Sequence, residues 1–96
     1  MIPEIITSDD GELTVRCREG AIIFSEAGKS GLWWVFAYSP GAEVVGRFPL
    51  GRRGKPSVQD AARVSGWLNA EAEKMESRAA VIRSLAEDLG AVEVDS

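Results

Sequence analysis

The longest regular pattern of apolar and polar positions lies between Ser57 and Gly90. Apolar or small residues recur there in alternating steps of four and three, which is the heptad register of a helix that packs against another helix. Larger side chains alternate with small ones along this seam, so two helix backbones can approach closely. The seam consists of Ala61, Ser65, Leu68, Ala72, Met75, Ala79, Ile82, Ala86 and Leu89.

Both ends of this stretch carry signals of a helix terminus. Ser57, with Asp60 three residues later, is the acidic variant of a capping box, and Gly90 suits the left-handed residue that closes a helix. We therefore predict one long helix over residues 57–89. At about 1.5 Å per residue it would measure about 50 Å, whereas a domain of this size is roughly 30 Å across. The helix either projects or bends near residues 76–77, and the lack of Gly, Pro or Asn there favours the continuous helix.

A projecting helix would offer the second half of its seam to a second copy of the chain. Val64, Trp67 and Leu68 would dock the first half on the rest of the domain. The alternative is that the seam is the core face of an ordinary helix. The predicted homodimer interface consists of Leu68, Ala72, Met75, Ala79, Ile82, Ala86 and Leu89.

The first fifty residues alternate with the period of β-strands instead. Turn signals, such as Asp10-Gly11 and Pro40-Gly41, separate the apolar segments. The pattern predicts an antiparallel meander of four or five strands followed by the helix, which is an α+β fold. The chain reads as a single domain over 1–96, with the sheet in 1–50, a basic turn in 51–56, the helix in 57–89 and a tail in 90–96.

The segment 31–39 is the strongest strand of the chain. Trp34, Phe36 and Tyr38 fall on one of its faces, and Trp33 begins an apolar row on the other. Apolar residues on both faces indicate a central strand covered on two sides. Adjacent strand residues point oppositely, so one tryptophan of the pair lies off the main core face. We take Trp33 as the candidate partner contact.

Composition excludes several classes of chemistry. The chain has no histidine, which removes Ser–His–Asp and Cys–His catalysis and the commonest zinc sites. Its single cysteine, Cys17, lies on the inward face of a strand and reads as a buried, unreactive thiol. Asp9, Asp10 and Glu12 read as a hairpin turn rather than a calcium loop. No apolar run reaches the ~20 residues that span a bilayer, and we expect a cytoplasmic protein without catalytic residues, cofactor or metal.

Charge is distributed unevenly along a chain whose formal net charge is −4. Basic residues dominate 43–63, where a phosphate-binding loop is excluded because Pro49 stands at the position of its first glycine. Acidic residues dominate the rest of the chain, and Glu71, Glu73 and Glu76 suggest an acidic helix face that meets a basic partner protein. The candidate anion or DNA contacts in the basic segment are Arg47, Arg52, Arg53 and Lys55.

Two resemblances bear on function. Strands at 32–39 and 43–50 that run into a helix carrying Ala61, Ala62, Trp67 and Leu68 resemble the strand–strand–helix DNA-binding module at the amino end of phage-type tyrosine integrases. That likeness covers residues 31–75 and implies DNA contacts across the sheet, where this chain has Arg47, with Arg16 and Arg18 nearby. In type, a small, acidic, histidine-free α+β chain resembles phage and mobile-element accessory proteins such as anti-CRISPR inhibitors, which occupy the surface of a partner.

These observations together predict a non-enzymatic binding protein. Its expected role is that of a stoichiometric inhibitor or adaptor that acts on a basic, nucleic-acid-handling protein. The alternative is a small DNA-binding module, for which the basic segment argues. An enzyme would require a carboxylate site that the sequence does not reveal.

Overall fold

A five-stranded antiparallel sheet forms the first half of the fold. The computed structural model describes residues 4–8, 11–26, 31–51 and 59–92. The strand order follows the sequence, so the predicted α+β meander of four or five strands is confirmed, with five. The strands are β1 (Glu4–Thr7), β2 (Leu13–Cys17), β3 (Gly20–Glu26), β4 (Trp33–Tyr38) and β5 (Val44–Pro49).

Tight turns set the register of the meander. The turn between β2 and β3 requires Gly20, whose φ of 120° is unfavourable for residues with a side chain, and a Cβ there would lie 2.0 Å from the carbonyl oxygen of Tyr38. The turn between β4 and β5 is closed by the Ser39 N–H, which donates to the Glu43 carbonyl at 2.9 Å. Beside this turn the β4–β5 ladder contains a β-bulge, where the register shifts between Ala37 and Tyr38.

One face of the sheet carries the core. Val15 on β2, Phe24 on β3 and Val35 on β4 lie at its centre and are 0–2% exposed. Two helices cover this face and complete a cluster of buried apolar residues: Leu68 lies against Gly46 of β5, and Leu85 lies against Gly20.

The predicted C-terminal helical region forms, but the continuous course favoured over 57–89 is wrong, and the alternative, a bend near residues 76–77, is the one found. The chain forms α1 (Gln59–Lys74), a short 3₁₀ helix (Glu76–Arg78) and α2 (Ala79–Gly90). Met75 leaves the helical conformation with φ −123° and ψ 75°, and the helices fold back into a hairpin. Charged residues such as Glu73 and Lys74 flank the seam at the break, whereas Val64 before it and Leu85 after it widen the apolar face. Folding back lets both wider ends pack on the sheet, which a straight helix would not allow. The whole fold measures 34 × 29 × 22 Å.

The close approach that the small seam residues predicted occurs within the chain. The Ser65 hydroxyl donates to the Ala86 carbonyl at 2.7 Å, which ties α1 to α2. A Cβ on Gly90 would lie 3.2 Å from that hydroxyl, so the carboxyl end of α2 also lies close to the middle of α1.

Ionic contacts at both ends of the helical hairpin fix it to the sheet. The buried Asp88 carboxylate accepts the Arg18 backbone N–H at 2.8 Å and its Nε at 2.9 Å. The Asp88 carboxylate is also the main reason that the pKa of Arg18 is raised. At the other end of the hairpin, the Arg78 guanidinium pairs with Glu43 beside the β4–β5 turn.

Several sequence predictions fall on other parts of the chain. Asp9, Asp10, most of the basic turn 51–56, the Ser57 cap and the tail beyond Val92 lie outside the described residues. In the described part, no helix is long and apolar enough to cross a membrane.

Candidate binding surfaces

The second face of the sheet is covered by none of the described elements. Neighbouring strands align its side chains in rows across the sheet, because residues that share a register position point the same way. The middle row places Ile23 beside Phe36, and Trp34 and Tyr38 extend the row of aromatic side chains along β4. We call this the open face, and its side chains are Glu4, Ile6, Thr14, Arg16, Ala21, Ile23, Ser25, Trp34, Phe36, Tyr38, Val44, Arg47 and Pro49.

This arrangement corrects two expectations about β4. The described elements cover this strand on one side, because both helices pack on the face of the sheet opposite the open face. Trp33, taken from the sequence as the partner contact, is 2% exposed and belongs to the core. Trp34 is the half-buried tryptophan on the open face. Alternation predicted that the two rings diverge, but the location of the helices decides which ring is covered.

Polar groups surround the apolar centre of the open face. Arg47 on β5 lies over the Trp34 ring, with its guanidinium carbon 5.5 Å from the ring centroid. On the opposite side, Arg16 pairs with Glu4 at 3.8 Å, and both side chains are largely exposed. Among the described residues, no carboxylate lies within ion-pair distance of Arg47. Of the predicted anion contacts, Arg47 is therefore on the open face, whereas Arg52, Arg53 and Lys55 lie outside the described residues.

The predicted acidic helix face does not form. Glu71 and Glu73 are two positions apart on α1, which places them on opposite sides of the helix. Glu76 follows the break and belongs to the 3₁₀ helix. Basic side chains lie among these acids, including Lys74 at the end of α1. The three glutamates are accessible but are not arranged as one charged surface.

The predicted dimer seam is occupied by the chain itself. Leu68, Ala72, Ile82, Ala86 and Leu89 are 0–1% exposed, and Met75 and Ala79 pack against the same core. The hairpin places the two halves of the seam against each other and the sheet. These residues consequently leave no surface for a second copy, and the homodimer stays a prediction that needs a different interface.

A groove of about 370 Å³ runs beside β5, where α1 overhangs the edge of the sheet. Phe48 and Trp67 form its aromatic floor, with ring centroids 5.8 Å apart. The sequence indicated Trp67 as a core contact, but periodicity could not predict that its ring also lines this groove. The lining residues are Phe48, Pro49, Trp67, Ala70, Glu71 and Lys74.

A second concavity, of about 510 Å³, lies at the Tyr38 end of the sheet. Backbone and small side chains from the two turns line it, including Gly20, Ser39 and Pro40. Within the described part of the chain, no group of three or more acidic or cysteine side chains is placed to hold a metal ion.

Cys17 has the environment of an unreactive thiol. It is half-buried at the end of β2 and interacts with the Val15 carbonyl at 3.7 Å. Burial, with the nearby Asp88 carboxylate, raises the pKa of the Cys17 thiol to about 11, against the opposing effect of Arg18. The thiol therefore remains protonated at neutral pH.

Comparisons of the chain with protein families, with curated proteins and with solved structures found no match.

Proposed function

We propose that this chain is a non-enzymatic binding protein, an inhibitor or adaptor that engages a partner protein through the open face. The observation that carries the proposal is the row of Trp34, Phe36 and Tyr38 on an uncovered sheet surface. Protein interfaces have an apolar centre with a polar rim, and their strongest contacts are enriched in Trp, Tyr and Arg. The open face has this distribution, with Phe36 and Ile23 at its centre and Arg47, Arg16 and Glu4 at its margins.

The dimensions of the open face also favour a macromolecular ligand. Strands ~4.8 Å apart with ~3.3 Å per residue give a face of roughly 20 Å by 20 Å. That area is too flat and wide for a small-molecule pocket and is on the scale of a transient protein interface. An uncovered apolar surface of this kind is typical of an interaction site.

The identity of the partner is the finer part of the proposal. The net charge of −4 supports a basic, nucleic-acid-handling target in the cytoplasm, since long-range attraction speeds the association of oppositely charged proteins. The attraction would come from the net charge of the whole molecule, because the glutamates on the helices do not form one acidic surface. Such a complex would have 1:1 stoichiometry, as expected for an inhibitor or adaptor.

DNA binding is the second candidate, and a specific contact favours it. Aromatic rings on a sheet with an arginine beside them can stack on the bases of a single strand. Arg47 over Trp34, with Arg16 across the face, offers such a combination. The acidic chain opposes it, because affinity for nucleic acids comes largely from neutralising phosphates.

The test compares the wild type with Ile23→Asp, which places a charge at the centre of the open face. Partners are captured from the native host, identified by mass spectrometry, purified and titrated by calorimetry. We expect a 1:1 complex that Ile23→Asp weakens at least tenfold. Arg83→Glu, a charge change on an exposed position of α2, is the matched control and should bind like the wild type.

The same proteins are titrated with single-stranded and duplex DNA by fluorescence anisotropy at low salt. Tight binding of DNA by the wild type, lost in Ile23→Asp, would favour the second candidate. A purified partner that binds Ile23→Asp as well as it binds the wild type would refute the open face as the interface.

A further inference from the structure

On one edge of β5, where no described strand lies, main-chain hydrogen-bonding groups point away from the sheet. The Leu50 N–H donates to the Trp33 carbonyl at 2.9 Å, and these residues lie one step beyond the Trp34–Pro49 pair. Hydrogen-bonded and non-hydrogen-bonded pairs alternate in an antiparallel ladder. The N–H and C=O of Arg47 therefore point away from β4. No described strand pairs with β5 on that side.

Two features prevent a long added strand from pairing along this edge of β5, but one residue between them can still form main-chain hydrogen bonds. Pro49 has no N–H, and the β-bulge at Ala37/Tyr38 interrupts the ladder at the other end. Both features limit the pairing of edge strands between proteins. Between them, Arg47 offers a donor and an acceptor, and Pro49 offers an acceptor.

The groove lies where the side chains of an added strand would project. Phe48 points to the helix side of the sheet, so the neighbours of a residue opposite Arg47 would point to that side as well. They would enter the space between Phe48 and Trp67 beside α1. The residue opposite Arg47 would lie on the open-face side, next to the Arg47 side chain.

We propose that β5 and α1 form a docking site for an extended segment of a partner protein, with an acidic residue flanked by apolar ones. The segment adds to the sheet at Arg47, its apolar side chains fill the groove, and its carboxylate meets the Arg47 guanidinium. Charge complementarity supports the acidic residue, because Arg47 has no carboxylate partner among the described residues. Strand addition to a sheet edge, with pockets for alternate side chains, is an established mode of peptide recognition.

The site is tested with the synthetic peptide Thr-Val-Glu-Val-Thr, titrated into the full chain and followed by amide NMR. The expected result is saturable binding that shifts the Arg47 amide and slows its hydrogen exchange. Methylating the glutamate nitrogen removes the donor to the Arg47 carbonyl and should weaken binding about fivefold or more. Replacing the glutamate by lysine should weaken it by about fivefold.

Two protein variants separate the groove from the edge. Ala70→Arg fills the groove from an exposed position of α1 and should abolish binding, whereas Ala62→Arg, also exposed on α1, should not. Arg47→Glu should reverse the preference, so that the lysine peptide binds more tightly than the glutamate peptide.

Three outcomes would overturn the proposal: no binding at millimolar peptide, equal binding of the N-methylated peptide, or unchanged affinity of Ala70→Arg. Sedimentation at the same concentrations tests whether a second copy of the chain occupies the β5 edge. Self-association that the peptide reverses would show that the β5 edge binds a second copy. Ile23→Asp should bind the peptide normally, so failure of this site and failure of the open face are distinguishable.

Discussion

Replacing Ile82 by glutamate distinguishes the two roles that the heptad seam can have. If the seam joined two copies, Ile82→Glu would produce a folded, helical monomer. In the structure, Ile82 is 0% exposed and lies in the core between the helical hairpin and the sheet. The substitution should therefore unfold the chain.

The magnitude follows from the burial of Ile82. Loss of a fully buried isoleucine removes roughly 1.5–3 kcal/mol, and an unpaired carboxylate in its place adds a penalty of several kcal/mol, whether it stays charged or takes up a proton. The sum, about 5 kcal/mol or more, approaches the whole stability of a typical domain of about 5–15 kcal/mol. Milder replacements should give a graded series, about 1 kcal/mol for Ile82→Val and about 2–5 kcal/mol for Ile82→Ala.

Urea unfolding followed by circular dichroism measures the series, and light scattering after size exclusion gives the mass of each variant. Arg83→Glu introduces the same side chain at an exposed neighbouring position and should unfold like the wild type. A wild-type dimer that Ile82→Glu converts into a helical, cooperatively unfolding monomer would refute the assignment of the seam to the core.

Three further predictions test individual contacts. Because the pKa of the Cys17 thiol is about 11 rather than the ordinary 9.0, it should react with iodoacetamide at pH 8 about 100-fold more slowly in the folded chain than in urea. The folded chain should also lose stability as pH rises from 9 to 11, because in that range the thiol ionises readily only in the unfolded chain. Gly20→Ala should destabilise the chain by more than ~1 kcal/mol, because the added Cβ meets the Tyr38 backbone. Gly66→Ala, in open space on α1, should stabilise the chain by about 0.5–1 kcal/mol. Thermal melts should show a lower melting temperature for the first variant and a higher one for the second. Asp88→Asn, which weakens both bonds to Arg18, should lower the urea midpoint more than Glu87→Gln, whose exposed side chain lies 3.4 Å from the same guanidinium.

The strands, the helical region and the α+β fold class could be predicted from the local pattern of apolar and turn residues. Period-two alternation and glycine-containing turns predicted four or five antiparallel strands, and five form. Small seam residues such as Ser65 and Ala86 predicted that two helix backbones approach closely. Docking of the first helical half through Val64 and Leu68 is likewise confirmed, as both are 0% exposed. These features depend on neighbouring residues, which a sequence displays directly.

The tertiary structure decided where each apolar surface is buried. A heptad seam has the same appearance whether its partner is another chain or the same chain. The break at Met75 is marked by no Gly, Pro or Asn, so the sequence favoured the continuous helix, and the burial gained by the whole hairpin decides for the bend. The choice between Trp33 and Trp34 depended on which face the hairpin covers. The groove brings Phe48 beside Trp67, residues distant in sequence. Burial is a property of the assembled layers, so periodicity could predict the apolar faces but not their partners.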